Sequence, residues 1–136
     1  EKSIAFRDAV RLPAKETLFD RAKRSGVTIR FRGGQPAGHT AELIYTAMQV
    51  CLNNAIQYAQ ATELTANLWE CDGCCHAVIR NNGRPPERPV TEGGGLTNLR
   101  RQIEKSGGAM TIQSAPEFAL ALRIPGFGMT EENKWL

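Results

Sequence analysis

The stretch AELIYTAMQVCLNNAIQYA, residues 41–59, constrains this chain more than any other. Its apolar residues fall in adjacent pairs four apart: Leu43/Ile44, Ala47/Met48, Cys51/Leu52 and Ala55/Ile56. That spacing predicts a long amphipathic helix with one wide buried face. At about 100° per residue, Val50, Asn54 and Tyr58 form a second row along the edge of that face. Asparagine is a poor helix former because its amide competes for backbone hydrogen bonds. Asn53 and Asn54 in mid-helix therefore need a reason. Asn54 reads either as a solvated or helix-bonded amide, or as a side-chain carbonyl aimed at a cation or ligand beside the core. The helix alone does not choose between them.

A chain of 136 residues is expected to form one domain with a real core. Hydrophobic residues at 41% and charged residues at 23% fit a soluble globular protein. No apolar run reaches the roughly 18 residues that would span a bilayer, and no signal-peptide pattern is present. Because Glu1 stands where an initiating Met would, we expect a piece of something longer. The net charge is +3, from 17 basic and 14 acidic residues. The basic residues gather between Arg7 and Arg32, but acids and apolar residues interrupt them. That is not the stripe expected of a nucleic-acid binder.

The rest of the chain punctuates itself. Residues 4–24 read as a helix that Pro13 breaks or kinks and Ser25-Gly26 ends, so 1–26 is an N-terminal helical segment. Residues 27–31 alternate as a half-buried strand, and 33–38 read as a loop. Residues 64–70 and 75–80 read as two strands joined by the Asp72-Gly73 hairpin turn. Glycines and prolines make 81–95 irregular. Residues 96–105 read as a helix with Leu96, Leu99 and Ile103 on one face, ended by Ser106-Gly107-Gly108. Residues 109–114 and 118–124 read as a closing strand pair, and 126–136 as a loose tail onto which Trp135 and Leu136 can dock. This order predicts an α+β fold: a two-layer α/β sandwich with one mixed sheet and helices on one face.

Cys51 lies on the apolar helix face and reads as a core thiol. Cys71, Cys74, Cys75 and His76 form the string CDGCCH, whose three thiolates and imidazole would complete a zinc tetrahedron. Against this, adjacent Cys74 and Cys75 point to opposite sides of a strand, and no second ligand cluster exists. A plain hairpin with reduced thiols is the favoured reading, and nothing demands an oxidising compartment.

Two further segments carry chemistry. Asn81-Asn82-Gly83-Arg84 leaves a strand directly and presents hydrogen-bonding groups to a planar heterocycle or a phosphate, as an ordinary Asn-Gly turn also does. Gly93-Gly94-Gly95 precedes a helix, where glycines let backbone N–H groups approach an anion and the helix dipole helps. A flexible linker is the plain alternative. In combination these segments resemble the ATP-binding and catalytic domain of two-component sensor histidine kinases. That domain belongs to the superfamily of gyrase, heat-shock chaperone and mismatch-repair ATPases. The subfamily it resembles most pairs with helix-turn-helix response regulators. The resemblance covers roughly residues 18–125. IYTAMQVCLNNAIQYA resembles the first nucleotide box of that subfamily, and AVIRNNGRPP the box written D-N-G-x-G. GGGLTNLRRQIEKSGGAMTIQSAP resembles the G-x-G-L box with its helix and following strand.

The resemblance implies ATP and magnesium as ligands. It implies that Asn54 holds the magnesium bridging the ATP phosphates. It places Asn81 at the adenine amino group, with Gly83 following. Gly93 and Gly95, with Leu96 beside them, let the loop approach the phosphates, and 84–95 form an ATP lid. The departures from the family pattern concern the chemistry. Val50 stands where the family has the Glu that acts as general base or orients the phosphoacceptor, and neither Gln49 nor Glu42 replaces it. Asn81 stands in place of the adenine Asp, which removes charge assistance worth roughly 1 kcal/mol. Pro85 replaces a glycine, removing an N–H and fixing φ, and the last two strands are joined by a shorter connection than usual.

Neither His39 nor His76 lies in a dimerisation helix that would carry a phosphoacceptor, so the fragment is not expected to autophosphorylate. The expectation is the cytoplasmic nucleotide-binding domain of a membrane-bound sensor kinase, with a degenerate catalytic site. Its expected partners are nucleotide, the parent's dimerisation and phosphoacceptor domain, and a response regulator. The fragment itself is expected to be monomeric. Two alternatives stand beside it: a non-catalytic pseudokinase module acting through protein contacts, and a superfamily ATPase or serine kinase of the anti-sigma type.

Overall fold

Alternation along the strands decides which side of the sheet is filled. The computed structural model describes residues 14–90, 93–126 and 129–131. In chain order these form α1 (Ala14–Ser25), β1 (Thr28–Arg32), β2 (Gly34–Pro36), a 3-10 turn (Gly38–Thr40) and α2 (Ala41–Asn54), which continues into a π-helical turn (Ala55–Ala59). There follow β3 (Glu63–Cys71), β4 (Cys74–Asn81), α3 (Gly95–Lys105), β5 (Ala109–Gln113), β6 (Ala119–Pro125) and β7 (Met129–Glu131).

The main sheet has the order β1-β3-β4-β6-β5. β1 runs parallel to β3, with Thr28 opposite Glu63, and every other pairing in this sheet is antiparallel. One side of it buries Leu64, Ala66 and Leu68 from β3, Cys75, Ala77 and Ile79 from β4, Leu120, Leu122 and Ile124 from β6, and Met110 from β5. Leu18 and Ala22 of α1, Ile44, Met48, Cys51 and Leu52 of α2, and Leu99 and Ile103 of α3 complete the same cluster. Each such large side chain contributes about 1.5–3 kcal/mol on burial. The other side of the sheet carries Trp69, Arg80 and Arg123, all exposed. The fold is therefore the predicted α+β sandwich, one mixed sheet with helices on one face.

Local signals place α1 against α2. Gly26 has a left-handed φ of 72° just past α1, and Val27 N–H donates to the Ala22 carbonyl at 2.9 Å, so the helix ends where Ser25-Gly26 predicts. Phe31 links the layers, with ring centroids 6.3 Å from both Phe19 and Tyr45. Gln49 Nε2 donates to the Ala14 carbonyl at 3.0 Å.

The structure also departs from the periodicity. The regular part of the central helix stops at Asn54, and the π-helical turn that follows ends at Gln60, whose φ is 53°. The expected loop at 33–38 contains β2, and the expected tail contains β7. The two pair antiparallel, with Gly34 opposite Glu131 and Pro36 opposite Met129. The part of the 4–24 helix before residue 14, the Pro13 kink, the docking of Trp135 and Leu136, and positions 91 and 92 of the expected lid lie outside the described residues.

Candidate functional site

The second half of α2 and the π-helical turn beyond it form the floor onto which the other segments fold. Val50 and Asn54 are half-buried, one helical turn apart. Among the described residues the Asn54 side-chain amide has no hydrogen-bond partner. Tyr58, next in that row, is exposed.

The end of β4 rests on the end of this floor. Arg84 N–H donates to the Ala59 carbonyl at 2.8 Å. A Cβ on Gly83 would collide with the Ala59 carbonyl oxygen and lie 2.7 Å from the Ala59 Cβ, so only glycine lets the two backbones come this close. Asn81 Oδ1 accepts the Gly83 N–H at 2.8 Å, which folds the segment into an Asx turn. Asn82 ties it to the start of β3. Its Oδ1 accepts from the N–H groups of Thr62 and Glu63, each at 2.9 Å, and its Nδ2 donates to Thr62 Oγ1 at 2.9 Å.

The start of α3 stands over Val50. A Cβ on Gly95 would lie 3.5 Å from both γ-methyl groups of Val50. Gly94 takes φ 49° and ψ −110°, a conformation suited to glycine, and no side chain caps the helix. Leu96 N–H donates to the Gly93 carbonyl at 3.2 Å, and the helix dipole at this end favours an anion. Leu96 is half-buried against the core. Gly93 is exposed, with nothing within 4 Å of the place a Cβ would occupy.

Along the helix the order is thus Gly95 over Val50, then Asn54, then the Asn81-to-Arg84 turn on Ala59. The span from residue 50 to residue 59 is about 13 Å at 1.5 Å per residue. An anion-attracting end and an amide-rich end are separated by the Asn54 side-chain amide, which has no partner among the described residues. The sequence anticipates Asn54, Asn81, Gly83, Gly93, Gly95 and Leu96. It does not single out Asn82, which pins the turn, or Gly94, the one of the three glycines that needs a positive φ. The oxygen of Asn81 is already engaged by Gly83 N–H, leaving one lone pair and the NH2 group to meet a ligand.

The hairpin zinc reading fails on geometry. Cys75 is buried on the helix side, while Cys71 and Cys74 belong to the other side of the sheet. Among the described residues no group of three His, Cys, Asp or Glu side chains can hold a metal ion. His76 instead stacks on Trp69, with centroids 5.2 Å apart and planes 6° from parallel. An open groove of about 580 Å³ lies along β1, lined by Ile29, Arg30, Phe31, Arg32, Gly33 and Gln35, and none of the site residues above lines it. No helix among the described residues is long and apolar enough to cross a membrane.

No family model matches the chain. It is 30% identical over 84 residues to the signal transduction histidine-protein kinase/phosphatase UhpB of Salmonella typhimurium, a match covering 59% of this chain and 17% of the relative. It is 27% identical over 86 residues to the sensor histidine kinase YxjM of Bacillus subtilis, covering 63% and 21%. The chain thus spans about a fifth of the length of these curated relatives. Among solved structures, the histidine kinase AdeS of Acinetobacter baumannii superposes with a TM-score of 0.64 at 17% identity, over 82% of this chain and 60% of that one. The resemblance read from the nucleotide boxes is thus present at both levels: the fold is that of histidine kinase ATP-binding domains, and the sequence is similar to sensor histidine kinases.

Proposed function

We propose that this chain, which has the histidine kinase-like ATPase fold and is similar in sequence to sensor histidine kinases, is the nucleotide-binding domain of such a kinase in two-component signal transduction. The observation that carries the proposal is the convergence of two distant segments on the second half of α2 and the turn after it, Gly95 over Val50 and the Gly83 turn on Ala59, on either side of Asn54, whose amide has no hydrogen-bond partner among the described residues. The donor set fits ATP with magnesium. The uncapped start of α3, with Gly93 and Gly95, suits the phosphates. The Asn54 carbonyl suits a magnesium ion held between them. Asn81 and Gly83 form the end that suits adenine, and 84–95 act as the lid over the bound nucleotide. When bound, the metal neutralises charge on the phosphates.

What the chain's own residues do is bind and orient. Val50 presents two methyl groups where a proton acceptor or an orienting carboxylate would act, so this domain contributes positioning and charge stabilisation alone. The partners we propose are the dimerisation and phosphoacceptor domain of the parent chain and a response regulator of the helix-turn-helix kind. The domain works on the cytoplasmic side, and the fragment by itself is a monomer. A second reading, a non-catalytic module acting through protein contacts, is favoured by Val50 and by the engagement of Asn81 Oδ1 with Gly83.

Calorimetric titration of Mg-ADP and Mg-ATP into this chain tests the proposal, with Asn54→Ala as control. Micromolar to low-millimolar binding that weakens tenfold or so in Asn54→Ala is the expected result. No heat up to several millimolar nucleotide would overturn it in favour of the second reading.

A further inference from the structure

The β3–β4 hairpin places Cys71 directly opposite Cys74 across the two-residue turn Asp72-Gly73. Both turn residues have left-handed φ, 53° and 73°, the geometry of a type I′ turn. By strand alternation both thiols belong to the side of the sheet away from the helices. Cys71 is exposed, Cys74 is half-buried, and both are free. Directly opposed residues have Cβ atoms about 4.5–5.5 Å apart. A disulfide needs about 3.5–4.5 Å. The remaining movement falls at a tight turn, where a Cβ on Gly73 would meet nothing within 4 Å.

The two thiols have different neighbours. Arg123 Nη1 approaches Cys74 Sγ at 3.8 Å from the adjacent strand β6. Cys71 Sγ donates to Asp72 Oδ2 at 3.6 Å, and the Asp72 carboxylate raises the Cys71 pKa. Arg123 thus sets a hydrogen-bond donor against the Cys74 sulfur, where charge develops during exchange, while the Asp72 carboxylate disfavours a thiolate at Cys71. The other two cysteines, Cys51 and Cys75, are buried in the core.

We propose that Cys71 and Cys74 form a solvent-facing dithiol that exchanges with low-molecular-weight disulfides, a redox modification site separate from the nucleotide site. The Cys74 thiolate attacks one sulfur of a disulfide RSSR, forming Cys74–S–S–R and expelling RS⁻, which takes up a proton. Cys71 then loses its proton, attacks the Cys74 sulfur and expels the second RS⁻, which is protonated in turn. In sum two protein thiols and one RSSR give one protein disulfide and two RSH, with two electrons passing to the small disulfide. The turn is also tied to the end of β6, because Gly126 N–H donates to the Gly73 carbonyl at 2.7 Å. Closure therefore stiffens that junction as well as the hairpin.

The test is to incubate the folded chain with excess oxidised glutathione near pH 8, alkylate it, and locate the products by tandem mass spectrometry. The expected result is a chain lighter by two hydrogen atoms, two of its four thiols lost, and a Cys71–Cys74 bridge. Cys71→Ser is expected to halt at a mixed disulfide on Cys74, and Arg123→Gln to slow capture by about threefold or more. A wild-type chain that gains glutathione without closing, fails to react, or bridges through Cys51 or Cys75 would overturn the proposal. An unchanged rate in Arg123→Gln would overturn the role given to Cys74 as the attacking thiol.

Discussion

Replacing Gly83 by Ala is expected to destabilise the chain by about 2–4 kcal/mol. A methyl group there collides with the Ala59 carbonyl oxygen and lies 2.7 Å from the Ala59 Cβ and 2.8 Å from its carbonyl carbon. All three atoms belong to backbone or to a Cβ, so no flexible side chain can move aside. Relief requires the end of β4 to lift from the floor, and overpacking of this kind costs about 1–3 kcal/mol. Lifting also stretches the 2.8 Å bond from Arg84 N–H to the Ala59 carbonyl, worth about 1 kcal/mol. Against a typical domain stability of about 5–15 kcal/mol the variant stays folded but loses a large share. Urea unfolding followed by circular dichroism reads this as a midpoint lowered by roughly 1–2 M for a slope near 2 kcal/mol/M. Gly93→Ala is the matched control, since a Cβ there meets nothing within 4 Å, and its stability is expected to stay within about 0.5 kcal/mol of wild type. If Gly83→Ala behaves like Gly93→Ala, the turn does not rest on Ala59 and the closeness of the two backbones is not what glycine provides.

Two further outcomes follow from the same geometry. Val50→Glu, made in a chain that carries a phosphoacceptor histidine, is expected to raise the phosphorylation rate about tenfold or more. It also lowers stability by about 1 kcal/mol through lost packing on Gly95. An unchanged rate in a kinase assay would show that position 50 does not limit the reaction. Burial holds the Cys51 pKa far above its ordinary value of 9.0, so on unfolding the thiol ionises where the folded thiol does not. Its stabilising contribution is therefore full below about pH 9 and falls as pH rises beyond that, by up to about 1.4 kcal/mol per unit. Cys51→Ala is expected to flatten that fall in urea midpoints measured from pH 7 to about pH 10.5. An identical pH slope in the variant would refute the assignment.

What could be read from the chain alone follows the range of the interactions involved. The central helix announced itself because four apolar pairs repeat within one segment. The hairpin did so because Asp72-Gly73 supplies two residues suited to positive φ. The break in helical geometry after Asn54 left no mark, since Ala55, Ile56 and Ala59 continue the apolar period through the π-helical turn. β2 and β7 are three residues each, too short to show alternation, and one of them contains a glycine and a proline. The site divides in the same way. That position 50 lacks a carboxylate is visible in the sequence. That its methyl groups lie 3.5 Å from where a Cβ of residue 95 would stand is not, because the approach joins residues far apart in the chain. Two adjacent amides, Asn81 and Asn82, cannot be ranked by type. Their partners separate them, Asn82 holding the start of β3 and Asn81 closing its own turn.

The parallel pairing of β1 with β3 has a consequence for time as well as for shape. All of α2 lies in the chain between these two strands. The β3–β4 hairpin can zip from its turn, but the parallel ladder closes only after the intervening chain, helix included, has been brought round. The helix that forms the floor of the proposed nucleotide site is thus locked between two strands whose pairing is non-local. If nucleotide binds there as proposed, it adds contacts to the folded state alone and is expected to lengthen that state's lifetime. Occupancy of the proposed site is then expected to show as persistence, a loaded domain outlasting an empty one wherever a protease waits for the sheet to open.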